Sequence, residues 1–335
     1  MAKKIIIILV ITAALLGGLF YFRYEVYFSR GSARQDKILE IVKGEGNGAV
    51  AEKLKTAGLV SGKVYFYYYL RSHGLLNKIL PGKYQLNGNM TIPEIAVLIT
   101  NEENILPGYV KITFPEGWDS KKMAERLSAN GFPGEEFLKI AQNPPERPIR
   151  DFDYLKNIKS LEGFLFPDTY FFAKDIGAEG IVQKMLDNLD QKLTAEAREA
   201  IKNQGKSISD ILTMASIVEM EVKTPDDRTI VSGIYWNRIK NGQALQSDIT
   251  IAYILGIKKK QYSFEDTRTL SPYNTYLNKG LPPGPIDNPG LDAIKAVIYP
   301  KDSDYNYYLS DPETGQTIFS STLEEHNANK VKYGL

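Results

Sequence analysis

The sequence predicts an α+β protein: an N-terminal transmembrane helix, a small α+β domain and a larger α+β domain. Three observations carry this. An uncharged run opens the chain, a strand-turn-helix pattern occurs twice in its first half, and an apolar helical stretch with a carboxylate on its apolar stripe sits in the second half. Together they assign residues 1–4 to a tail, 5–26 to an anchor, 27–36 to a linker, 37–107 to the small domain and 108–335 to the larger one.

At 335 residues, with 43% hydrophobic and 24% charged residues, the chain is long enough for two or three packed domains. Net charge is +1 and no long run of one sign occurs, so nucleic acid is not indicated as a partner. There are no cysteines, which excludes disulfides, thiol catalysis and Cys-ligated zinc. With His73 and His326 the only histidines, no metal and no cofactor is expected.

Lys3 and Lys4 precede an uncharged run from Ile5 to Phe22 that spans about 27 Å as a helix, enough to cross a bilayer. No small-residue cleavage site follows. Tyr24, Val26, Tyr27 and Phe28 read instead as an interfacial anchor, so an uncleaved helix is expected. The short tail favours an N-terminus on the cytoplasmic side and the body outside it.

In the small domain, Lys37 to Val42 reads as a strand, Glu45-Gly46 as a turn and Ala49 to Gly58 as a helix. The order returns as Ile112, Glu116-Gly117 and a helix ending before Gly131. Between the two units, the aromatic stretch Val64 to Leu70 reads as core. Leu80 to Leu86 reads as a turn and strand, and Thr91 to Ile99 as a helix with Pro93 in its first turn. Asn143 to Pro148 is expected to be a stiff loop.

In the larger domain, Leu161 to Phe172 is apolar and aromatic but carries Glu162 and Asp168. Two readings stand side by side: a wall for sugar rings and hydroxyls, or carboxylates fixing a turn. Ser207 caps the next helix with Asp210 as its capping-box partner. Wound at about 100° per residue, Glu219 falls about 20° from Ile208, among Ile211, Leu212, Ala215, Val218 and Val222, while Glu221 points nearly the opposite way. Burial raises a carboxyl's pKa, so Glu219 is a candidate general acid. From this helix alone, a buried ion pair with a residue such as Arg228 reads equally well. A helix from Thr229 to Asn241 follows. Gln246-Ser247-Asp248 precedes another helix, which Ser247 or Asp248 could cap. Ser271 to Tyr276 leads into the Pro- and Gly-rich stretch Gly280 to Gly290, which includes Pro282 and Pro283 and reads as a rigid lip. A helix from Leu291, a hairpin and a polar helix carrying His326 complete the chain. His326 reads as structural.

Glu162-Gly-Phe-Leu-Phe-Pro-Asp-Thr-Tyr170, Ala215-Ser-Ile-Val-Glu219, Leu245-Gln-Ser-Asp248, and Tyr273-Asn-Thr-Tyr276 through to Gly290 resemble the ordered motifs of the bacterial endolytic murein transglycosylase family. The resemblance covers essentially the whole chain. Met220 stands where the family commonly has Lys, and Ile249 where it has Pro. The resemblance implies a LysM-like small domain at about 37–107 and a catalytic domain beyond it. The implied activity cuts the bond between N-acetylmuramic acid and N-acetylglucosamine inside peptidoglycan glycan strands and leaves 1,6-anhydro ends.

Glu219 matches the family's catalytic glutamate. Glu162, Asp168, Gln246, Ser247, Asp248, Tyr273, Asn274, Pro282 and Pro283 are the implied substrate-binding residues. The implied location is the bacterial inner membrane with the catalytic domain on the extracytoplasmic face, and by resemblance alone peptidoglycan synthases are partners. Two other readings stand beside it: a non-catalytic cell-wall glycan-binding scaffold, and a metabolite lyase using a phosphate-bearing cofactor, for which no Gly-rich phosphate loop follows a strand.

Overall fold

The computed structural model describes residues 2–28, 30–33, 37–106, 108–146, 151–156, 158–259, 261–311 and 314–334, with only the backbone for 2–11. Among the described residues it is a mixed α+β structure of many helices and three two-stranded sheets. The chain forms two compact units. One comprises Met1–Lys111 with Tyr170–Asp175, the other Ile112–Thr169 with Ile176–Leu335.

In the first unit, helix α1 (Ala2–Tyr27) is continuous. Among the described residues no helix is long and apolar enough to cross a membrane. The side chains of 5–11, the first part of the expected anchor, lie outside the described residues, as do positions 29 and 34–36 of the expected linker. The end of α1 joins the core of the unit. Val26 is fully buried, the Phe22 ring lies 4.9 Å from that of Tyr68, and Tyr27 packs edge-on to Tyr69 at 5.8 Å. Of the expected interfacial group, Tyr24 and Phe28 are exposed, while Val26 and Tyr27 face inward because α3 covers that side of the helix.

Strand β1 (Lys37–Ile41) pairs antiparallel with β2 (Gly82–Leu86), with Leu39 opposite Tyr84. Period-two alternation sends Leu39, Ile41, Tyr84 and Leu86 to one buried face. Helices α2 (Asn47–Thr56), α3 (Lys63–Ser72) and α4 (Ile92–Thr100) close over it through Val50, Leu54, Phe66, Leu70, Ile95 and Ile99. The aromatic stretch is α3, and only part of it is core: Phe66, Tyr69 and Leu70 are buried, while Val64, Tyr67 and Tyr68 are exposed. An amphipathic helix can bury only one stripe of a continuous aromatic run. Thr91 and Glu94 form a capping box at the start of α4, with Pro93 in its first turn.

Strand β3 (Tyr109–Thr113) pairs with β4 (Thr169–Ala173). Helix α5 (Ser120–Ala129) follows β3 as α2 follows β1, and Gly58 and Gly131 both adopt left-handed φ (69° and 79°) just past these helices. The turn glycines of the two units differ. Gly117 has φ 73°, whereas Gly46 is an extended N-cap at φ −65°.

The second unit continues with α6 (Gly134–Gln142), α7 (Ala178–Lys192) and α8 (Ala195–Asn203). The expected stiff loop at 143–148 lies partly outside the described residues. At its centre is α9 (Ile208–Glu221), contacted by α8, α10 (Pro225–Lys240), α11 (Asp248–Leu255) and α12 (Leu291–Ile298). Ser207 and Asp210 form the expected capping box. The expected single apolar stripe is not what α9 presents: Ile211 to Val218 are buried without interruption, because neighbours surround the helix. A helix enclosed on every side has no polar face to mark its orientation. Helix α10 begins at Pro225, earlier than expected, since Thr224 caps it and proline suits the first turn. Hairpin strands β5 (Tyr307–Ser310) and β6 (Thr317–Ser320) and helix α13 (Leu323–Lys332), capped by Thr322, complete the unit.

Candidate active site

The acid candidate lies at the C-terminal end of α9, where two loops converge on it. Glu219 Oε1 accepts a hydrogen bond from Arg228 Nη2 at 2.5 Å, and Oε2 accepts one from the Gly290 backbone N–H at 3.0 Å. The two side chains are 6% and 10% exposed. Arg228 is fixed in turn by donating from Nε to the Val222 carbonyl at 3.2 Å. The ion pair that was the alternative to an acid is therefore present, yet the Glu219 carboxyl still titrates above its usual value. Burial is the main cause, helped by the negative charges of Glu116 and Asp292; Arg228 and the Gly290 N–H oppose it.

Glycines let the loops come this close. Gly290 is the N-cap of α12 in ordinary extended backbone, but a Cβ there would stand 2.0 Å from the Glu116 carboxyl. At Gly117 a Cβ would stand 2.9 Å from Met220 Sδ and 3.5 Å from Glu219 Cγ, and φ there is 73°. The Glu116–Trp118 turn is latched to the Pro-rich loop: Gly117 N–H donates to the Asn288 carbonyl at 2.9 Å and Asn288 N–H to the Trp118 carbonyl at 3.0 Å. Ser216 Oγ accepts from Ile286 N–H at 3.0 Å, tying the same loop to α9 one turn below Glu219.

Asn288 is the hub behind this loop. Its Oδ1 accepts from the Gly163 and Leu165 backbone N–H groups at 2.9 and 3.0 Å, and its Nδ2 donates to Glu162 Oε1 at 2.6 Å and to the Trp118 carbonyl at 3.0 Å. Glu162 also accepts from the Ser120 backbone N–H at 3.0 Å and from Ser120 Oγ at 2.7 Å. Burial pushes its pKa up to about 7, against the opposing hydrogen bonds from Ser120. Asp168 Oδ1 accepts from Thr169 N–H at 2.7 Å and Oδ2 from Asn188 Nδ2 at 3.0 Å. Both carboxylates thus hold protein groups, Glu162 residues distant in the chain and Asp168 its neighbour Thr169 and Asn188.

The remaining predicted residues gather in a second region. Gln246 is exposed with a left-handed φ of 53°. Ser247 is the buried N-cap residue of α11, but its hydroxyl makes no capping bond and donates to Glu221 instead. Asp248 is exposed and accepts from Tyr276 Oη at 2.7 Å. Tyr273 stacks at a tilt on Tyr253, 4.9 Å between centroids, with its hydroxyl beside Gly284. Asn274 is fully buried: its Nδ2 donates to the Thr267 and Thr269 carbonyls at 3.0 and 2.8 Å, and its Oδ1 accepts from Tyr276 N–H at 2.9 Å, so it shapes its own loop. Pro282 is buried and Pro283 exposed.

His326 stacks on Tyr307 at 5.2 Å in the C-terminal helix. Asp287 is 4% exposed, with a pKa raised well above the carboxylate range by burial and by the charges of Glu219 and Glu162. Among the described residues no group of three His, Cys, Asp or Glu side chains could hold a metal ion.

The profile of the YceG-like family matches residues 39–332. The chain belongs to the YceG-like family. It is 33% identical over 309 residues to the endolytic murein transglycosylase of Bacillus subtilis, covering 88% of this chain and 84% of that one. It is 28% identical to the protein of the same name from Streptococcus pneumoniae, covering 99% of this chain and 65% of the longer relative. A crystal structure of a YceG-like protein of Listeria monocytogenes superposes with a TM-score of 0.61 at 33% identity, covering 89% of this chain and all of the other. In this YceG-like chain, sequence reasoning missed Asn288, Ser120 and Asp287, and treated Glu221 as outward-facing. Asp287 and Asn288 stand inside the motif stretch that ends at Gly290; Ser120 and Glu221 give no local signal of their pairings.

Proposed function

We propose that this YceG-like protein is a lytic transglycosylase that cuts peptidoglycan glycan strands internally, between N-acetylmuramic acid and N-acetylglucosamine, and leaves 1,6-anhydro-muramic ends. The observation that carries the reading is Glu219: a buried carboxyl with a raised pKa, held by Arg228 and the Gly290 N–H at the mouth of the Pro-rich loop. The similarity to endolytic murein transglycosylases supports the substrate class.

In the proposed cycle, protonated Glu219 gives its proton to the glycosidic oxygen as the bond from that oxygen to the anomeric carbon breaks. The muramic acid's own C6 hydroxyl oxygen bonds to the anomeric carbon, and the Glu219 carboxylate takes the hydroxyl proton. No water is consumed and the acid is regenerated, so one carboxyl serves twice. A group with this double duty needs both of its forms held at modest cost. Arg228 and the Gly290 N–H stabilise the carboxylate, while burial, Glu116 and Asp292 favour the neutral acid. Gln246, Ser247, Asp248, Tyr273 and Asn274, with the Pro282–Pro283 lip, form or shape the glycan-binding surface.

The same reading places the protein in the bacterial inner membrane through its N-terminal helix. The LysM-like domain at about 37–107 and the catalytic domain at 108–335 then lie on the extracytoplasmic face, working on nascent strands beside peptidoglycan synthases. The uncharged run from Ile5 to Phe22 after Lys3 and Lys4 supports the anchor. The test is mass spectrometry of peptidoglycan digested by the full chain in detergent. Anhydro-ended fragments are expected, and Glu219→Gln should reduce their rate of release by at least about 10²-fold with the fold intact. Reducing-end products, or a fully active Glu219→Gln variant, would sink the mechanism.

A further inference from the structure

Glu221, two residues beyond the acid, has no part in the cycle above, yet it is among the most elaborately bonded carboxyls in the chain. Its Oε1 accepts from Tyr235 Oη at 3.0 Å and from Ser247 Oγ, and Tyr235 Oη is 2.5 Å from Tyr308 Oη. These partners come from α10, from the residue that opens α11, and from β5. The bond to Ser247 is the informative one. Ser247 follows Gln246, the one residue of the larger unit other than glycine that is described with a positive φ (53°), a conformation costly to any side chain with a Cβ.

The turn is pinned from its other side as well. Gln246 N–H donates to the Thr275 carbonyl and Ser247 N–H to Thr275 Oγ1, each at 3.0 Å, and Thr250 Oγ1 lies 2.9 Å from Thr275 Oγ1. Leu245 and Ser247 are buried on either side of the exposed Gln246. A strained turn held between an internal carboxyl and a neighbouring loop, with one polar side chain left outside, is built to present that side chain.

We infer that Glu221 is a positioning residue: by anchoring Ser247 from inside the domain it holds the Leu245–Asp248 turn in its left-handed conformation and so sets Gln246 for glycan binding. This rests on the reading of that turn as part of the glycan surface. It also gives the two carboxyls of α9 separate duties. Glu219 acts on the bond, and Glu221 fixes part of the surface on which the strand lies. Glu221 touches no reacting atom, so its loss acts on substrate binding and leaves the chemical step in place.

The experiment compares the full chain with its Glu221→Ala, Glu221→Gln, Ser247→Ala and Glu221→Ala/Ser247→Ala variants in detergent. KM and kcat are read on soluble uncrosslinked glycan strands, Tm by calorimetry, and the dissociation constant for the same strands in a Glu219→Gln background. Glu221→Ala and Ser247→Ala are each expected to raise KM about tenfold, equivalent to about 1.4 kcal/mol, with kcat changed less than about threefold. The double variant should be no worse than either single one, since both cut the same bond.

Glu221→Gln keeps an acceptor oxygen for the Ser247 hydroxyl and should restore KM to within about threefold of the parent. A lowered Tm with unchanged KM would overturn the proposal, as would additive effects of the two alanines. Should Glu221→Ala fail to fold, an unchanged KM in Ser247→Ala would overturn it alone. If Glu219→Gln proves active, the acid assignment fails, but strand affinity still decides this inference: a tenfold weakening on Glu221→Ala supports it and an unchanged affinity refutes it.

Discussion

Glu162 should make the second unit lose stability as pH rises through neutrality, and Glu162→Gln should remove that loss. Its carboxyl has an ordinary value of 4.5 and in the folded chain is pushed up to about 7, chiefly by burial. Between these values the folded state holds a proton that the unfolded state has released. Stability therefore falls as pH rises from about 4.5, and the loss is complete above about pH 7. At about 1.36 kcal/mol per pH unit the displacement is worth about 3 kcal/mol.

Glutamine fits the site. Its carbonyl oxygen can accept from Asn288 Nδ2 and Ser120 N–H, as Oε1 does, while its amide donates to the Ser120 hydroxyl, which rotates to accept. Calorimetry of both proteins at pH 5 and pH 8 is the assay. For a unit of this size, about 3 kcal/mol corresponds to a parent Tm falling on the order of 5–10 °C more than that of the variant. Glu221 is also raised by burial, but it is present in both proteins and cancels in the comparison; Asp287, raised in part by the Glu162 charge, is relieved of that charge in the variant, which adds to the expected difference in slope. Equal pH slopes in parent and variant would refute the reasoning, and so would a variant destabilised to the same extent at both pH values.

Removing the charge of Arg228 by Arg228→Gln should raise the Glu219 pKa and move the alkaline limb of kcat to higher pH, by about one unit; pH–rate profiles check the direction, and a shift to lower pH would contradict the assigned charges. Glu116→Gln should move the same limb the other way by a few tenths of a unit, on the order expected for an exposed charge, because Glu116 raises Glu219. Asn288→Ala leaves the buried Gly163 and Leu165 N–H groups without their acceptor and should cost about 2–4 kcal/mol in urea denaturation, with Asn288→Asp recovering part of it.

What the sequence made legible was whatever a short window could determine. The Ser207–Asp210 capping box closes within three residues, so residue types alone announce it; the Thr91–Glu94 box is equally local, and sequence reasoning missed it. The paired strand-turn-helix units and the C-terminal hairpin follow from the same local chemistry. The architecture behind the site is of another kind. Glu162 meets Asn288 across 126 residues, and Ser247 meets Glu221 across 26. Nothing local in either segment marks such a pairing. Helical periodicity also misled at α9, because it assumes a solvent face that a surrounded helix lacks. The motif implies Asn274 as a glycan-binding residue, and its amide bonds to backbone groups of its own loop, a pairing the motif does not announce.

The consequence of enclosing α9 is that two carboxyls about 200° apart around the helix are both removed from bulk water, and only their partners distinguish them. Glu221 faces the hydroxyls of Ser247 and Tyr235, with Tyr308 beyond them. These bonded donors are neutral hydroxyls, and the neighbouring guanidinium, Arg238, lies 5.8 Å over the Tyr235 ring. Glu219 is bonded to a guanidinium and a backbone N–H and feels the charges of two carboxylates, Glu116 and Asp292. Opposed charges around one buried group keep its two protonation states near in free energy, which is the condition for giving a proton and taking one back within a single turnover. Of the two carboxyls only Glu219 has a guanidinium bonded to it, and that, more than burial alone, fits the acid-then-base role proposed for it.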